Sequence, residues 1–541
     1  MRKIKIFYIL IIFIAINIIS SKVYYSIDLT DNKRNTLNAS SKKILNTIDD
    51  DIYFKIFLKG NLNNNFSQMS KNLERILINM KNYNKNIKFI FINPMSKKTS
   101  LSEIERNNLM IIESKKIKKN KNTKGVEKTS YEKQIIVPGC IMYYKNKAST
   151  INFINTDIIN KISIEQAINE LEYKIIKTIK KSSNNRKSKI AFIQGHEEVK
   201  KDKMTVFHEF ISKDYEVEYF NIQKYTDPNS IKKQLNKLKK YKAVIITKPL
   251  TPFTTLDNFL IDQYIMNGGK TIWMIDGTND GLDLNQKNKL TTYKKLNVNL
   301  NDILINYGAK INNDLILDSI CDIIHIGEKG EKKIQWPYFP IIIPKNNNTL
   351  NRSNKFIKTK FISSIDIKNT NNNKKIILSS SNSSYKINAP NSFFIENYKF
   401  QKNNITCGIL IEGEFQSFFK NYEKSNTAEN FKKINKIEDN KMIIISDGDI
   451  IIDNYKINSQ SGEIMKQLNA GNKEFMANCI NYVCDDFNLI ELKNKNFKLN
   501  YLNNKKIINK KKIQITATII PIIIILIIGY MFNFIRKNKN A

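Results

Sequence analysis

An uncharged run of 23 residues near the C-terminus, "IQITATIIPIIIILIIGYMFNFI" (Ile513 to Ile535), is the strongest structural constraint in this chain. About 20 consecutive apolar residues suffice for an α-helix to cross the hydrocarbon core of a bilayer. A buried helix of a water-soluble core rarely continues so far without a charge. We therefore predict a transmembrane helix over residues 513–535, followed by a cytoplasmic tail over residues 536–541.

A second apolar segment, "IKIFYILIIFIAINIIS" (Ile4 to Ser20), follows the basic start of the chain. This order is typical of a signal peptide or a signal anchor. Because no A-x-A cleavage site follows, we predict an uncleaved transmembrane helix over residues 1–22. Positive charge flanks the C-terminal run on both sides, so the positive-inside rule alone does not orient it. The basic N-terminus places the long middle of the chain outside the plasma membrane and both termini in the cytoplasm.

The formal net charge of +38 comes almost entirely from lysine, since arginine occurs at only seven positions. Such a charge suggests nucleic acid or an anionic surface as a partner. Base reading, however, favours the bidentate arginine fork. The excess of Ile, Asn and Lys is what AT-rich codons produce, so we attribute most of the charge to compositional drift and predict no nucleic-acid partner. The lysine-rich run Lys115 to Gly125 is predicted to be a solvated loop.

The five cysteines are odd in number and show no C-x-x-C spacing. Structural zinc sites and disulfide frameworks need paired or clustered ligands. We therefore predict no disulfide framework, no metal site and no cofactor.

A first α/β unit is predicted over residues 23–181. The strand-like segments Asp51–Gly60 and Asn86–Pro94 flank a helix over Phe66–Asn84 that Ser67 or Ser70 would cap. This β-α-β order favours parallel pairing of the two strands.

A second α/β unit is predicted over residues 189–490, after the polar segment Ser182–Ser188. Short apolar strands that alternate with helices are typical of a doubly wound parallel sheet, a Rossmann-like fold. Residues 320–400 are rich in Asn and Ser and are predicted to be an irregular insertion, and residues 491–512 a juxtamembrane linker. The predicted strands of this unit are Lys189–His196, Tyr215–Ile222, Lys242–Pro249, Lys270–Asp276, Lys374–Ser381, Gly408–Phe415 and Asn440–Ile451.

Two polar clusters follow predicted strands of the second unit. Asp447 and Asp449 flank Gly448, which indicates either a metal or phosphate site or a tight turn with Gly448 at positive φ and Asp447 bonded to backbone. We favour the turn. His196 and Glu197 are either an acid/base pair or packing residues of a strand exit, and we favour packing.

The segment "WPYFP" contains Trp336 and Tyr338. Trp and Tyr dominate binding hot spots, so this segment is either an exposed recognition patch or a loop packed over the sheet. The sequence leaves these two alternatives open.

Motifs for nucleophilic catalysis and nucleotide binding are missing. The chain contains no G-x-S-x-G elbow, no GxxxxGK[ST] loop and no GxGxxG loop. The sequence therefore predicts no ATPase activity of its own.

A set of segments occurs in one order along the chain: "YYSIDLTDNKRNTLNASSKKIL", "INFINTDIINKISIEQAINELEYKI", "KIAFIQGHEE", "FLIDQYIMNGGKTIWMIDG", "NLNDILINYGAKINNDLILD", "WPYFP", "GILIEGEFQSFF", "IIISDGDII" and "GNKEFMANCINYVCDD". Together these segments resemble the gliding-associated ABC-transporter auxiliary protein family of Bacteroidota, the GldG family. The resemblance implies a non-enzymatic, substrate-binding-like subunit at a bacterial inner membrane, acting beside a separate permease and a separate ATPase. It also implies that the second unit is a degenerate glutamine-amidotransferase-like sheet without catalytic residues. The alternative is a hydrolase or metal-dependent enzyme at the outer membrane face that uses Asp447 and Asp449.

Overall fold

The chain divides into two compact units, Met1–Lys495 and Asn496–Ala541. A computed structural model describes residues 36–96, 98–121, 127–154, 161–183, 186–222, 228–279, 292–326, 332–343, 350, 355–393, 399–421, 432–457, 464–485, 489–494 and 510–539. The predicted anchor over residues 1–22 lies outside the described residues.

The N-terminal part of Met1–Lys495 contains a four-stranded sheet in the order β2-β1-β5-β6. Its elements are α1 (Ala39–Leu45), β1 (Ile52–Ile56), α2 (Asn64–Tyr83), β2 (Ile87–Phe91), α3 (Lys98–Arg106), β3 (Ile112–Lys121), β4 (Glu127–Ile136), β5 (Gly139–Tyr144), β6 (Lys147–Asn152) and α4 (Lys161–Ser183).

The parallel pairing of β1 with β2 confirms the prediction from the β-α-β order. Alternate residues of β1, such as Ile52 and Phe54, are buried, while Tyr53 between them is exposed. Helix α2 begins earlier than predicted because Asn63 caps it: its side chain accepts a hydrogen bond from the Phe66 amide.

The lysine-rich run predicted as a solvated loop is mostly a strand. Strand β3 pairs antiparallel with β4, with Lys116 in register with Glu132. A hairpin needs only backbone pairing between its strands, so a largely polar sequence can form one without the apolar alternation that marks a buried strand.

The remaining α-helices and strands of Met1–Lys495 follow in chain order, and helix α10 of Asn496–Ala541 comes last. They are β7 (Lys189–Gln194), α5 (Thr205–Ile211), β8 (Glu216–Asn221), α6 (Pro228–Leu238), β9 (Ala243–Thr247), α7 (Thr255–Met266), β10 (Lys270–Met274), β11 (Thr278–Asn279), β12 (Thr292–Lys295), α8 (Asn301–Tyr307), β13 (Ala309–Ile311), β14 (Asp314–Asp318), β15 (Cys321–Ile326), β16 (Lys332–Ile342), β17 (Ile357–Lys358), β18 (Ile365–Ile367), β19 (Asn373–Ser379), β20 (Ser383–Asn388), β21 (Asn391–Ser392), β22 (Gln401–Lys402), β23 (Thr406–Gln416), β24 (Lys436–Ile445), β25 (Asn454–Ile457), β26 (Ile464–Gln467), α9 (Ala470–Cys484) and α10 (Lys510–Lys539).

A seven-stranded sheet in the order β19-β23-β24-β10-β9-β7-β8 is the centre of this region. Strands β8, β7, β9, β10 and β24 are parallel to one another. Strand β23 pairs antiparallel with both of its neighbours, β24 and β19. The sheet is therefore mixed, whereas a wholly parallel sheet was predicted. Consecutive strands such as β23 and β24 can pair antiparallel without a crossover connection.

Both faces of the sheet are covered. On one face, Ile190 and Phe192 of β7 belong to a core with Phe475 of α9. On the other face, Ala191 and Ile193 belong to a core with helices α6, α7 and α8. All five residues of β9 are buried. Continuous apolar runs are expected for strands that are buried on both faces.

The stretch from 320 to 400 is not irregular in its described part, because it carries strands β15 to β21. These strands form small sheets of two or three strands, except β19, which joins the large sheet. Small sheets leave more of their surface in water, so their strands tolerate the Asn and Ser residues that suggested an irregular insertion. The "WPYFP" segment lies within β16.

Within Asn496–Ala541, helix α10 contains the stretch Gln514–Arg536, which is long and apolar enough to cross a membrane. This range closely matches the predicted span over residues 513–535. It is the one candidate span among the residues that the structure describes.

Candidate functional site

Polar side chains collect at the carboxyl-terminal edge of the seven-stranded sheet, where open α/β sheets usually bind ligands. His196 follows β7, Lys248 follows β9, Asp276 follows β10, and Asp447 and Asp449 follow β24. Because β7, β9, β10 and β24 are parallel, these residues all emerge at one edge.

Lys248 is the positive charge of this edge. Its Nζ lies 2.6 Å from Asp449 Oδ2 and 3.3 Å from Asp276 Oδ2. The side chains of Lys248, Asp449 and Asp276 are only 13%, 12% and 3% exposed. The lysine backbone has a φ of 50°, in the left-handed region that non-glycine residues rarely adopt. The sequence did not mark Lys248 or Asp276, because each follows a different strand at a large separation from Asp449.

Asp447 is fully buried and bonded to backbone. Its Oδ2 accepts a hydrogen bond from the Lys360 amide at 3.0 Å, and its Oδ1 accepts one from the Asp449 amide at 2.7 Å. Burial, followed by the negative charges of Asp449 and Asp276, raises the pKa of Asp447 well above its usual value. The predicted bonding of Asp447 to backbone is therefore present.

Gly448 has a different role from the one predicted. It is not among the glycines with positive φ, whereas Lys248 adopts that conformation. A Cβ atom on Gly448 would lie 2.5 Å from Lys248 Cβ, so the absence of a side chain allows the two loops to approach. The Gly448 amide also donates a hydrogen bond to Asp276 Oδ1 at 2.5 Å.

The three carboxylates offer oxygen atoms that all lie within 4.8 Å of one another, a spacing that suits a divalent cation. The ammonium group of Lys248, however, contacts Asp276 and Asp449. This internal cation competes for the same oxygens. The cluster therefore fits a contact between loops that Lys248 bridges better than a metal site.

His196 is buried at the same edge and lies between two carboxylates. Its Nδ1 is 3.3 Å from Glu198 Oε1, and its Nε2 is 3.2 Å from Asp257 Oδ2. Its ring stacks on Phe253 at a centroid distance of 3.6 Å. Burial alone would lower the pKa of His196, but the bonds to Asp257 and Glu198 outweigh it and raise the pKa to about 9.

Glu197, the predicted partner of His196, is exposed and has a φ of 60°. The buried partner is the next residue, Glu198, whose Oε2 also accepts a hydrogen bond from the His196 amide at 2.7 Å. Asp257 comes from the first turn of α7, where it forms a capping box with Thr254. That T-x-x-D pattern is visible in the sequence, although its contact with His196 is not.

The crevice between β7 and β9 is filled by protein. Strand β8 lies on one side of β7 and β9 on the other, so this is the point where the order of strands reverses. The amides of Leu250 and Thr251 both donate to the His196 carbonyl, and the Val199 amide donates to Thr247. His196 and Phe253 occupy the place where a ligand would enter such a fold.

Residues 360–364 close the neighbouring part of the edge. The Ser363 amide donates to the Ser446 carbonyl at 3.1 Å, and the Ser363 hydroxyl accepts from the Gly277 amide at 3.1 Å. The Ser446 hydroxyl donates back to the Ser363 carbonyl. A cavity beside Asp276 has a volume of about 10 Å³, which is room for about one water molecule.

Trp336 and Tyr338 are buried, so they do not form an exposed recognition patch, one of the two alternatives that the sequence left open. Trp336 is 4% and Tyr338 0% exposed. They pack with Tyr293, Phe361 and Phe393 in an aromatic core separate from the two cores of the large sheet. The alternative of a loop packed over the sheet is also inexact, because both residues lie on strand β16.

Comparison with known proteins supplies the remaining observations. Residues 187–479 match the family model described as an ABC-type uncharacterized transport system, and residues 31–143 match a domain of unknown function (DUF7088). An uncharacterized protein of Borreliella burgdorferi is 23% identical over 401 residues, which cover 70% of this chain and 71% of that protein. The solved mmIFT52 N-terminal domain aligns with 55% of this chain and 97% of its own, at 12% identity and a TM-score of 0.33.

Proposed function

Because this chain belongs to the ABC-type uncharacterized transport system family, we propose that it is a non-enzymatic auxiliary subunit of an ABC transporter. The subunit would bind a separate permease and a separate ATPase. It would transmit the movement of the permease through contact with its own α/β body. The family match over more than half of the chain is the observation that carries this proposal.

The closed edge of the large sheet supports a role without catalysis. A general acid or base must reach the atom that it protonates. His196 is held between Glu198 and Asp257 inside the protein. The charge of Asp449 is balanced by Lys248 at 2.6 Å. Both groups serve contacts within the chain.

We further propose how the chain is arranged across the membrane. Helices over residues 1–22 and 513–535 would anchor two extracytoplasmic domains, residues 23–181 and a Rossmann-like domain over residues 189–490. Both termini would be cytoplasmic. The apolar stretch Gln514–Arg536 of α10 supports the C-terminal anchor.

The gliding-associated assignment within Bacteroidota is the narrowest part of the proposal. It rests on the resemblance of the ordered sequence segments alone. Deletion of the gene should abolish surface gliding of the source bacterium if this assignment is correct. Normal gliding of the deletion strain would remove it and leave the transporter role standing.

Purification of the intact complex tests the transporter role. The full chain, expressed at its native level and extracted in mild detergent, should bring with it a multi-span permease and a P-loop ATPase. A matched preparation from a strain that carries the same tag on an unrelated single-span protein controls for membrane carry-over. Recovery of the chain without either subunit would contradict the proposal.

Sidedness is tested by labelling introduced thiols on intact cells. Lys71 is exposed on α2, so a Lys71→Cys variant should react with a membrane-impermeant maleimide supplied to spheroplasts. An Asn538→Cys variant, in the predicted cytoplasmic tail, should react only after lysis. The opposite pattern would place the body in the cytoplasm.

A second candidate function, a metal-dependent enzyme at the outer face, has one observation in its favour. The oxygens of Asp276, Asp447 and Asp449 lie within 4.8 Å of one another. An Asp447→Ala/Asp449→Ala variant should abolish function in a deletion strain if these carboxylates perform chemistry. A variant that reaches wild-type levels in the membrane and complements the deletion would dismiss the enzyme.

A further inference from the structure

Helix α6 carries a strongly basic outer face. Its inner face is buried through Ile231, Gln234, Leu235 and Leu238. On the opposite side, exposed residues line a shallow depression of about 420 Å³. The residues that line it are Lys232, Lys233, Asn236, Lys237 and Lys240.

The charge of this face is of one sign. No Asp or Glu occurs between Pro228 and Lys240, whereas five lysines do. The acidic residues of the preceding strand are already engaged, because Glu216 and Glu218 of β8 both pair with Lys189. The lysines of α6 therefore create a local positive potential that favours an anionic partner.

We propose that the α6 face binds the anionic phospholipid headgroups of the membrane with which α10 associates. Lysine is a compact point charge that binds phosphate without the fixed geometry of arginine. Each lysine near an anionic leaflet contributes about 1 kcal/mol. Four lysines on one face are thus enough to hold that face at the membrane surface.

Two features favour lipid over other anionic partners. Residues 228–240 contain no arginine and no aromatic residue, which are the groups that read bases or stack on single strands. The chain also carries its own membrane-associated helix, so an anionic bilayer is present at high effective concentration. The inference requires membrane attachment through α10 but not the permease or the ATPase of the proposed function.

Lysine acylation of the full chain in lipid nanodiscs tests the proposal. The chain is reconstituted in phosphatidylcholine alone or in a mixture with phosphatidylglycerol, and amine acylation rates are read by mass spectrometry. We expect the lysines of α6 to react about fivefold more slowly in the anionic discs. High salt should remove this protection. The exposed lysines Lys71, Lys81 and Lys85 provide the internal control and should react equally in both discs.

A matched pair of variants separates the α6 face from net charge. In a Lys232→Gln/Lys233→Gln/Lys237→Gln/Lys240→Gln variant, the remaining Lys239 should lose its protection in anionic discs. A Lys71→Gln/Lys81→Gln/Lys85→Gln variant should leave the protection of Lys239 unchanged. Gln has nearly the same helix propensity as Lys, so both variants should fold.

Three results would overturn the proposal. Equal acylation of the α6 lysines in the two kinds of disc would show that the face does not meet the lipid. Equal protection of all exposed lysines would reduce the effect to net charge. Protection by duplex DNA in zwitterionic discs, as strong as that by anionic lipid, would assign the face to nucleic acid. None of these results depends on recovering transporter subunits, so the transporter role is tested separately.

Discussion

Lys248 Nζ lies 2.6 Å from Asp449 Oδ2, and this contact joins the loop after β9 to the loop after β24. The two residues are 201 positions apart in sequence. Asp276, after the strand between them, completes the cluster at 3.3 Å from the same ammonium group. The carboxyl-terminal edge of the sheet is thus held together by charge where related architectures bind a ligand.

Replacing Lys248 by methionine should destabilise the protein by about 3 kcal/mol, because the carboxylates of Asp276 and Asp449 would stay buried without a cation. Urea unfolding of the detergent-solubilised chain, followed by the fluorescence of the buried Trp273 and Trp336, measures the change. Lys239→Met, which makes the same substitution at an exposed position, is the control. A Lys248→Met variant as stable as Lys239→Met would show that the ion cluster contributes nothing.

The neighbouring residues Glu197 and Glu198 should differ sharply in their tolerance to substitution. Glu198→Gln should cost about 1–3 kcal/mol, since one of its two buried contacts with His196 would face an unmatched amide group. Glu197→Gln, at an exposed position, should change stability by less than about 0.5 kcal/mol. Urea midpoints of both variants at pH 6 provide the comparison. Equal midpoints would contradict the assignment of Glu198 as the partner of His196.

His196 should make the stability of the protein depend on pH. Its pKa is about 9 in the folded protein, above the ordinary value of 6.5, so folding favours the protonated form. The resulting stabilisation, about 3 kcal/mol, is fully present below pH 6.5 and is lost as the pH rises through 9.

The difference between the wild-type chain and a His196→Gln variant isolates this effect from other titrating groups. The stability difference should be largest near pH 6 and should shrink towards pH 10. Urea midpoints at fixed pH values across this range give the curve. A constant difference would mean that His196 does not change its protonation state between these values.

Trp336 should behave as a core residue. Trp336→Ala should destabilise the chain by about 3–5 kcal/mol, because it removes a large side chain from the aromatic core. Its indole Nε1 is buried and has no hydrogen-bond partner among the residues that the structure describes, so Trp336→Phe should cost no more than about 1.5 kcal/mol. Thermal unfolding measures both, and the Trp336→Phe chain should still recover its transporter partners. Loss of partners by a stable Trp336→Phe chain would restore the recognition role.

Much of the fold was accessible to local reasoning. Apolar runs located the strands β7, β8, β9 and β10 within a few residues, and the segments predicted to return to the large sheet became β19, β23 and β24. The antiparallel pairing of β23 with both β24 and β19 was not accessible, since strand direction depends on the path of the chain between strands. Strands β3 and β15 to β17 were missed because their partners, and not an apolar pattern, make them strands.

The candidate site shows the same division. The sequence sufficed for the apolar helix at the C-terminus and for the polar residues His196, Asp447 and Asp449 after strands, because both are encoded in neighbouring residues. The pairing of Lys248 with Asp449, of His196 with Glu198 and Asp257, and the burial of Trp336 emerged only in three dimensions. A contact between residues far apart in sequence depends on how several strands are ordered and aligned, and no local pattern specifies that order.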